Sequence, residues 1–213
     1  DATRRTTSSG CWGCGMPEVV HLAEHSPEWH EARRWRVGGS EIGAICGWSP
    51  WAGPEGVAER KLSGETSEPT PRQQLGHDAE PMLASWLGRK LGAAVDLKPG
   101  TWLDELGIAN PDGLVGATGE LFEAKTVNDR SKDDGWGRQG TDLVPLHFAA
   151  QCVWYCGLTG APGAHLVALC GALNGRVGLH VAHYYIPANP AAYAHMRSVA
   201  AEWRSKHLEG QHP

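Results

Sequence analysis

Asn110-Pro111-Asp112-Gly113-Leu114-Val115 and Leu121-Phe122-Glu123-Ala124-Lys125-Thr126 are two apolar runs separated by Gly116-Ala117-Thr118-Gly119-Glu120. A Gly-rich connection between two such runs is the signature of a β-hairpin with a short loop. Side chains alternate along a strand, so Glu123 and Lys125, two residues apart, leave the same face. The hairpin folds Asp112 back towards them, which predicts a cluster of two acids and one lysine.

A hard divalent cation such as Mg²⁺ binds through one or two carboxylates plus water and substrate phosphate. A lysine beside it can steady a water-derived nucleophile or the charge developing on phosphorus, which points to phosphodiester hydrolysis. The stretch resembles the PD…(E)xK pattern of a large nuclease superfamily. Read alone, Pro-Asp-Gly is equally an ordinary turn and Glu-x-Lys an ordinary exposed strand pair.

Working outward, the 213 residues suit one domain with a sizeable core. The chain is 41% hydrophobic and 20% charged, has no 18-residue apolar run and opens Asp1-Ala2-Thr3-Arg4-Arg5. These features predict a cytoplasmic protein of a bacterial or phage-infected cell, with no membrane association. A net charge of −5 argues against a protein that coats DNA, so any grip on DNA must lie in a locally basic cleft. Residues 1–17 read as a mobile arm and 18–213 as a single domain. Cys11-Trp12-Gly13-Cys14 is a CxxC, but Cys46, Cys152, Cys156 and Cys170 offer no second one, so four-ligand zinc spacing is not met. The eleven histidines contain no HxH or HExxH.

Ser26-Pro27-Glu28 opens a helix that puts Trp29 and Arg33 on one face. Val37-Gly38-Gly39-Ser40-Glu41 then forms a Gly-rich turn with Ser40 as cap of a short helix ending at Gly47. A glycine turn leading into a helix, with an arginine nearby, is a candidate phosphate site and as often a plain connection. Helices are expected from Gly53-Pro54 to Ser63-Gly64, from Thr70-Pro71 to Gly92 with a kink or restart at Pro81, and from Pro145 through Leu158. Glu80 on the second of these is a solvated acid on its sequence alone, and Gln151 on the third needs partners among apolar neighbours. Strands near 165–171 and 176–186, joined at Asn174-Gly175, precede a final helix, 189–208, laid over the sheet with Arg197, Arg204 and Lys206 on its wet face. Most of the ten tryptophans belong in the core. Trp48 and Trp51 flank a Ser49-Pro50 turn, and the polar stretch 128–141 carries Arg130, Lys132, Trp136 and Arg138; both are expected DNA contacts, although the second is equally solvated surface.

The blocks Pro27-Glu28-Trp29-His30…Arg33…Gly39-Ser40-Glu41-Ile42, Gly76-His77-Asp78-Ala79-Glu80-Pro81, Pro111-Asp112-Gly113-Leu114, Glu123-Ala124-Lys125 and Ala150-Gln151 closely resemble the phage lambda exonuclease, or YqaJ-type viral recombinase, family over residues 26–208. The fold implied is α/β, with a PD-(D/E)xK restriction-endonuclease-like core in which a central mixed β-sheet is flanked by helices. The activity implied is Mg²⁺-dependent 5′→3′ exonucleolysis of one strand of linear double-stranded DNA from 5′-phosphorylated ends, feeding single-strand annealing recombination; Mn²⁺ is expected to substitute. By the same resemblance, Asp112, Glu123 and the Ala124 carbonyl bind metal and Glu80 completes a two-ion site. Lys125 and Gln151 assist and place the attacking water, and Arg33 and Ser40 hold the 5′-phosphate. Asp104 and Glu105 lie near where some members carry a further acid. A single-strand annealing protein is the implied partner, and a homo-oligomeric ring, a trimer, the implied assembly. A PD-(D/E)xK endonuclease and a non-catalytic DNA-end-binding recombination protein are the alternatives.

Overall fold

The computed structural model describes residues 18–22, 26–64, 68–128, 135–173 and 176–209. The arm with its CxxC, Arg130, Lys132 and the Asn174-Gly175 turn lie outside them. In chain order the elements are β1 (Glu18–Val20), α1 (Pro27–Arg34), β2 (Val37–Gly38), α2 (Gly39–Ile45), α3 (Pro54–Ser63), α4 (Pro71–Leu91), β3 (Val95–Leu97), β4 (Thr101–Leu103), β5 (Gly107–Ala109), β6 (Gly113–Val115), β7 (Glu120–Val127), α5 (Leu146–Thr159), β8 (Gly163–Leu173), β9 (Arg176–Pro187) and α6 (Pro190–His207).

The expected hairpin is β6–β7, antiparallel with Gly113 opposite Phe122 and Val115 opposite Glu120. Its turn closes through Gly119, whose φ of +70° is a conformation that favours glycine. The strands extend into a mixed five-stranded sheet ordered β3-β6-β7-β8-β9. Within this sheet only β7 and β8 run parallel, and parallel neighbours need a crossover, which α5 supplies. A second, four-stranded sheet, β1-β4-β5-β2, was not anticipated, since its strands are two or three residues long.

Alternation along β7 divides the interior. Leu121 joins α5 and α2 residues, including Trp154, Tyr155 and Ile42, in one core cluster, with Leu166 and Ala168 of β8. Phe122 joins Ala79, Leu83 and Leu87 of α4 and Val167 of β8 in another. A helix thus packs on each face of β7, and residues of odd number on that strand, Glu123 among them, share the face of Leu121 towards α5.

Helix ends follow their punctuation. Ser26 accepts from Trp29 N, Thr70 and Gln73 form a capping box, and Gly64 and Gly92 close α3 and α4 in left-handed conformations. Three expectations need correction. Pro81 lies inside one unbroken helix. The cap of α2 is Gly38, with Glu41 accepting its N–H at 2.8 Å, and Ser40 sits within the first turn. The last helix packs against α5, α2 and α3, and Arg197 is not simply wet: it pairs with Asp104 at 2.5 Å, while Arg204 donates to the Glu105 carbonyl. Asp104 also accepts from Leu106 N and Gly107 N, so its carboxylate is committed to the β4–β5 turn. Among the described residues no helix is long and apolar enough to cross a membrane.

On the α4 face, His183 contacts His165 at 2.9 Å, and His165 reaches Glu120 at 3.0 Å. Burial, then the charges of Lys90 and His165, pulls His183 from its ordinary 6.5 down to about 4. Between those values the unfolded chain binds a proton that the folded chain refuses, so this contribution is full above pH 6.5 and is lost as pH falls towards 4. Urea unfolding at pH 7 and pH 5 should show a decrement of about 1–2 kcal/mol in the wild type that His183→Gln reduces.

Candidate active site

The central strand brings the predicted acids and lysine together. Glu123, 3% exposed, accepts from Lys125 Nζ at 2.5 Å and Gln151 Nε2 at 2.5 Å, both on Oε1. Its second oxygen, Oε2, is buried without a hydrogen-bond partner. Asp112 Oδ2 accepts from the Ala124 N–H at 2.8 Å, which pins the loop before β6 to the strand carrying Glu123. Gln151 is there because α5 is the crossover lying over this face of β7. Its amide also approaches the Tyr155 hydroxyl at 3.4 Å.

The electrostatics follow from burial and crowding. Burial first, then the neighbouring Asp112 and Glu80 charges, pushes the Glu123 carboxyl up to about 8 against the opposing pull of Lys125. Burial depresses Lys125, but Glu123 and Asp112 outweigh it and raise its pKa. Glu80 is 8% exposed, not a solvated helix acid. Its carboxyl is raised by burial and then by Asp112, partly countered by a 2.9 Å contact with His77 Nδ1. It approaches from α4, on the opposite side of β7 from α5, and among the described residues no three His, Cys, Asp or Glu side chains converge as a ready cage for a metal. What fits a cation here is different: an orphaned, buried carboxylate oxygen on Glu123, the adjacent Asp112, and three acids, Glu123, Asp112 and Glu80, set against Lys125 and, near Glu80, Lys98. Mg²⁺ asks for no more than one or two carboxylates when water and phosphate complete its shell.

A second cluster lies at the end of α1. Arg33 stacks over Trp29 at 4.7 Å and donates to Ser40 Oγ at 3.3 Å. Glu41 lies 3.9 Å from Arg33 and 2.8 Å from Lys61. Burial would raise the Glu41 carboxyl, but Lys61 and then Arg33 hold it below its ordinary value, while burial draws Lys61 below its own. Gly39 brings α2 against Tyr155: a Cβ there would collide with the phenol ring. The same Tyr155 touches Gln151, so the two clusters share one packed support.

The predicted DNA-contacting residues are placed unevenly. Trp51 is 73% exposed, edge-on to His147 at 4.7 Å and 6.3 Å from Phe148. Lys125 Nζ lies 5.5 Å from that same Phe148 ring, so Trp51 stands at the rim of the acidic site. Trp48 instead packs on the core. Trp136, expected to face a base, is turned inward against Tyr184 and Phe148 at 5.1 and 5.7 Å; these apolar neighbours lie far from it in sequence. Arg138 is exposed. Glu41, Lys61, Tyr155 and His77 were not singled out. The Gly38–Glu41 spacing could have signalled Glu41, whereas nothing local marks Lys61.

No curated protein sequence matches this chain. Solved structures do, and exonuclease folds are among them. One is an alkaline exonuclease, LHK-Exo, from Laribacter hongkongensis, with 18% identity over 85% of this chain and 92% of that one and a TM-score of 0.60. Its complex with dAMP matches at 17% identity over 85% and 92% of the two chains, with a TM-score of 0.63. Another is a phage-related exonuclease from Haemophilus somnus 129PT, with 12% identity over 83% of this chain and 96% of that one and a TM-score of 0.61. The family model of the YqaJ-like viral recombinase domain matches residues 28–162, the span that holds α1, the hairpin and α5. On that match the chain belongs to the YqaJ-like viral recombinase family.

Proposed function

We propose that this protein is a Mg²⁺-dependent exonuclease that removes nucleotides 5′→3′ from one strand of linear double-stranded DNA, starting at 5′-phosphorylated ends. The observation that carries the reading is the buried Glu123 carboxylate, held on one oxygen by Lys125 and Gln151 and left unpartnered on the other, with Asp112 fastened one residue away.

Asp112, Glu123 and the Ala124 carbonyl would hold the cation, Glu80 would serve a second one, and Mn²⁺ would replace Mg²⁺. A bound Mg²⁺ supplies an acidified water and polarises the scissile phosphoryl oxygen. The chain's own groups do the rest. Lys125, kept cationic by two carboxylates, steadies the anionic nucleophile and the charge growing on phosphorus. Gln151, anchored through Glu123 and Tyr155, fixes the direction from which water arrives. Arg33 and Ser40 hold the terminal phosphate and so set which bond meets the acids. Trp51 at the rim offers a stacking surface for a terminal base, and Arg138 a solvent-facing cation for the backbone.

In the cell this activity would leave a single strand for an annealing protein, and a ring of three copies would keep the enzyme on its track. With a net charge of −5, such a ring would have to carry its acidic surface outside.

Digestion of linear duplex bearing one 5′-phosphate and one 5′-hydroxyl end, in Mg²⁺, tests the reading. Nucleotides should be released from the phosphorylated strand, and Lys125→Ala should slow release by on the order of 10²–10⁴-fold. Cutting of closed circles would make the protein an endonuclease; binding of ends without digestion would make it a recombination scaffold. In the same assay Arg33→Ala should bring the two ends to similar rates, a loss of about tenfold or more at the phosphorylated end.

A further inference from the structure

Lys61 is an anomaly among the charged residues. It sits on α3, away from the acidic site, with its side chain 5% exposed, and lysine is almost never so buried unless paired. Its ammonium makes three short contacts: the Arg33 carbonyl at 2.7 Å, the Arg36 carbonyl at 2.8 Å and Glu41 Oε2 at 2.8 Å. An ammonium has three donors and no acceptor, so all three are spent. In return, Arg34 of α1 donates to the carbonyls of Lys61 and Leu62 at 3.2 Å each. The two helices cap each other's last turns, and α1 cannot shift or rotate without breaking that exchange.

The charges matter as much as the clamp. Glu41 is the nearest acid to Arg33, at 3.9 Å, and its Oε2 already accepts from Gly38 N. With Lys61 bound to Glu41, the trio Arg33, Lys61 and Glu41 keeps one positive charge, and Arg33 is aimed at Ser40 rather than closed on Glu41. Without Lys61 the half-buried carboxylate would lose its cation, and the guanidinium, a planar fork suited to carboxylate, would be drawn into a bidentate pair with it.

We infer that Lys61 is a positioning residue of the 5′-phosphate pocket: by neutralising Glu41 and clamping the end of α1, it leaves the Arg33 guanidinium unclosed and directed at the terminal phosphate. The inference rests on the phosphate-pocket reading above. It assigns Lys61 no contact with DNA; it acts through Arg33.

The test is the ratio of affinities for 5′-phosphorylated and 5′-hydroxyl duplex ends, read by fluorescence anisotropy in Ca²⁺, alongside KM and kcat in Mg²⁺. The wild type should favour the phosphorylated end about tenfold. Lys61→Met should reduce that ratio towards one and raise KM for phosphorylated ends with little change in kcat. Adding Glu41→Gln to Lys61→Met should recover most of the ratio, because the competing charge is gone and an acceptor for Gly38 N remains. A merely structural lysine predicts no such recovery. A wild-type preference that survives Lys61→Met, or a double variant no better than the single one, overturns this inference alone. A wild type indifferent to the phosphate overturns it together with the pocket beneath it. Should Lys61→Met not fold, Glu41→Gln by itself decides: the preference should hold or widen, and its loss overturns the inference.

Discussion

A carboxylate nearly removed from water on a central strand is the constraint around which this molecule is built. Glu123 is costly to bury as an anion, and one of its oxygens is met by a lysine two residues along the strand and by an amide from the crossover helix. Each partner depends on a different level of structure. Lys125 needs only the two-residue alternation of β7, whereas Gln151 needs β7 and β8 to be parallel so that α5 must cross between them. The unpartnered oxygen is where the arrangement stops being self-sufficient. Structural carboxylates in folded proteins are normally satisfied on both sides, and a cation is the partner that would also relieve the mutual repulsion of Glu123, Asp112 and Glu80.

Packing joins the acidic site to the Arg33 cluster through one side chain. Tyr155 touches Gln151 on one side and fills the space that Gly39 leaves on the other. α2 therefore meets α5 at the point where α5 aims its glutamine. The charge layout is complementary: acids concentrated near β6 and β7, and a surplus of positive charge at the end of α1. On the proposed reading, substrate polarity would follow from that asymmetry, since the Arg33 cluster would take the terminal phosphate and the acidic site would take the next linkage.

What could be read in the chain was what depends on near neighbours. The hairpin was legible because Gly116 to Gly119 separates two apolar runs, and the helix ends because Ser26-Pro27, Thr70-Pro71 and Gly92 are strong punctuation. The Glu123–Lys125 pair was legible from strand alternation alone. Features that pair distant segments were not. Lys61 meets Glu41 and α1 across a loop, and Asp104 meets Arg197 from 93 residues away in sequence. Trp136 stands in a polar stretch that gave no sign of the apolar pocket made by Phe148 and Tyr184. The four-stranded sheet escaped because two- and three-residue strands carry too little alternation to register. Ser40 suits the α2 cap by residue type, but the Glu41 side chain already satisfies the Gly38 N–H.

Whether Glu123 and Asp112 form a cation site is decided by diffraction from crystals soaked in Mn²⁺, with the anomalous signal mapped. One strong peak is expected at about 2.0–2.3 Å from Glu123 Oε2, an Asp112 oxygen and the Ala124 carbonyl, absent in Asp112→Asn. A peak elsewhere, such as at His165 and Glu120, with Glu123 Oε2 still lacking a partner in saturating Mn²⁺, would contradict it.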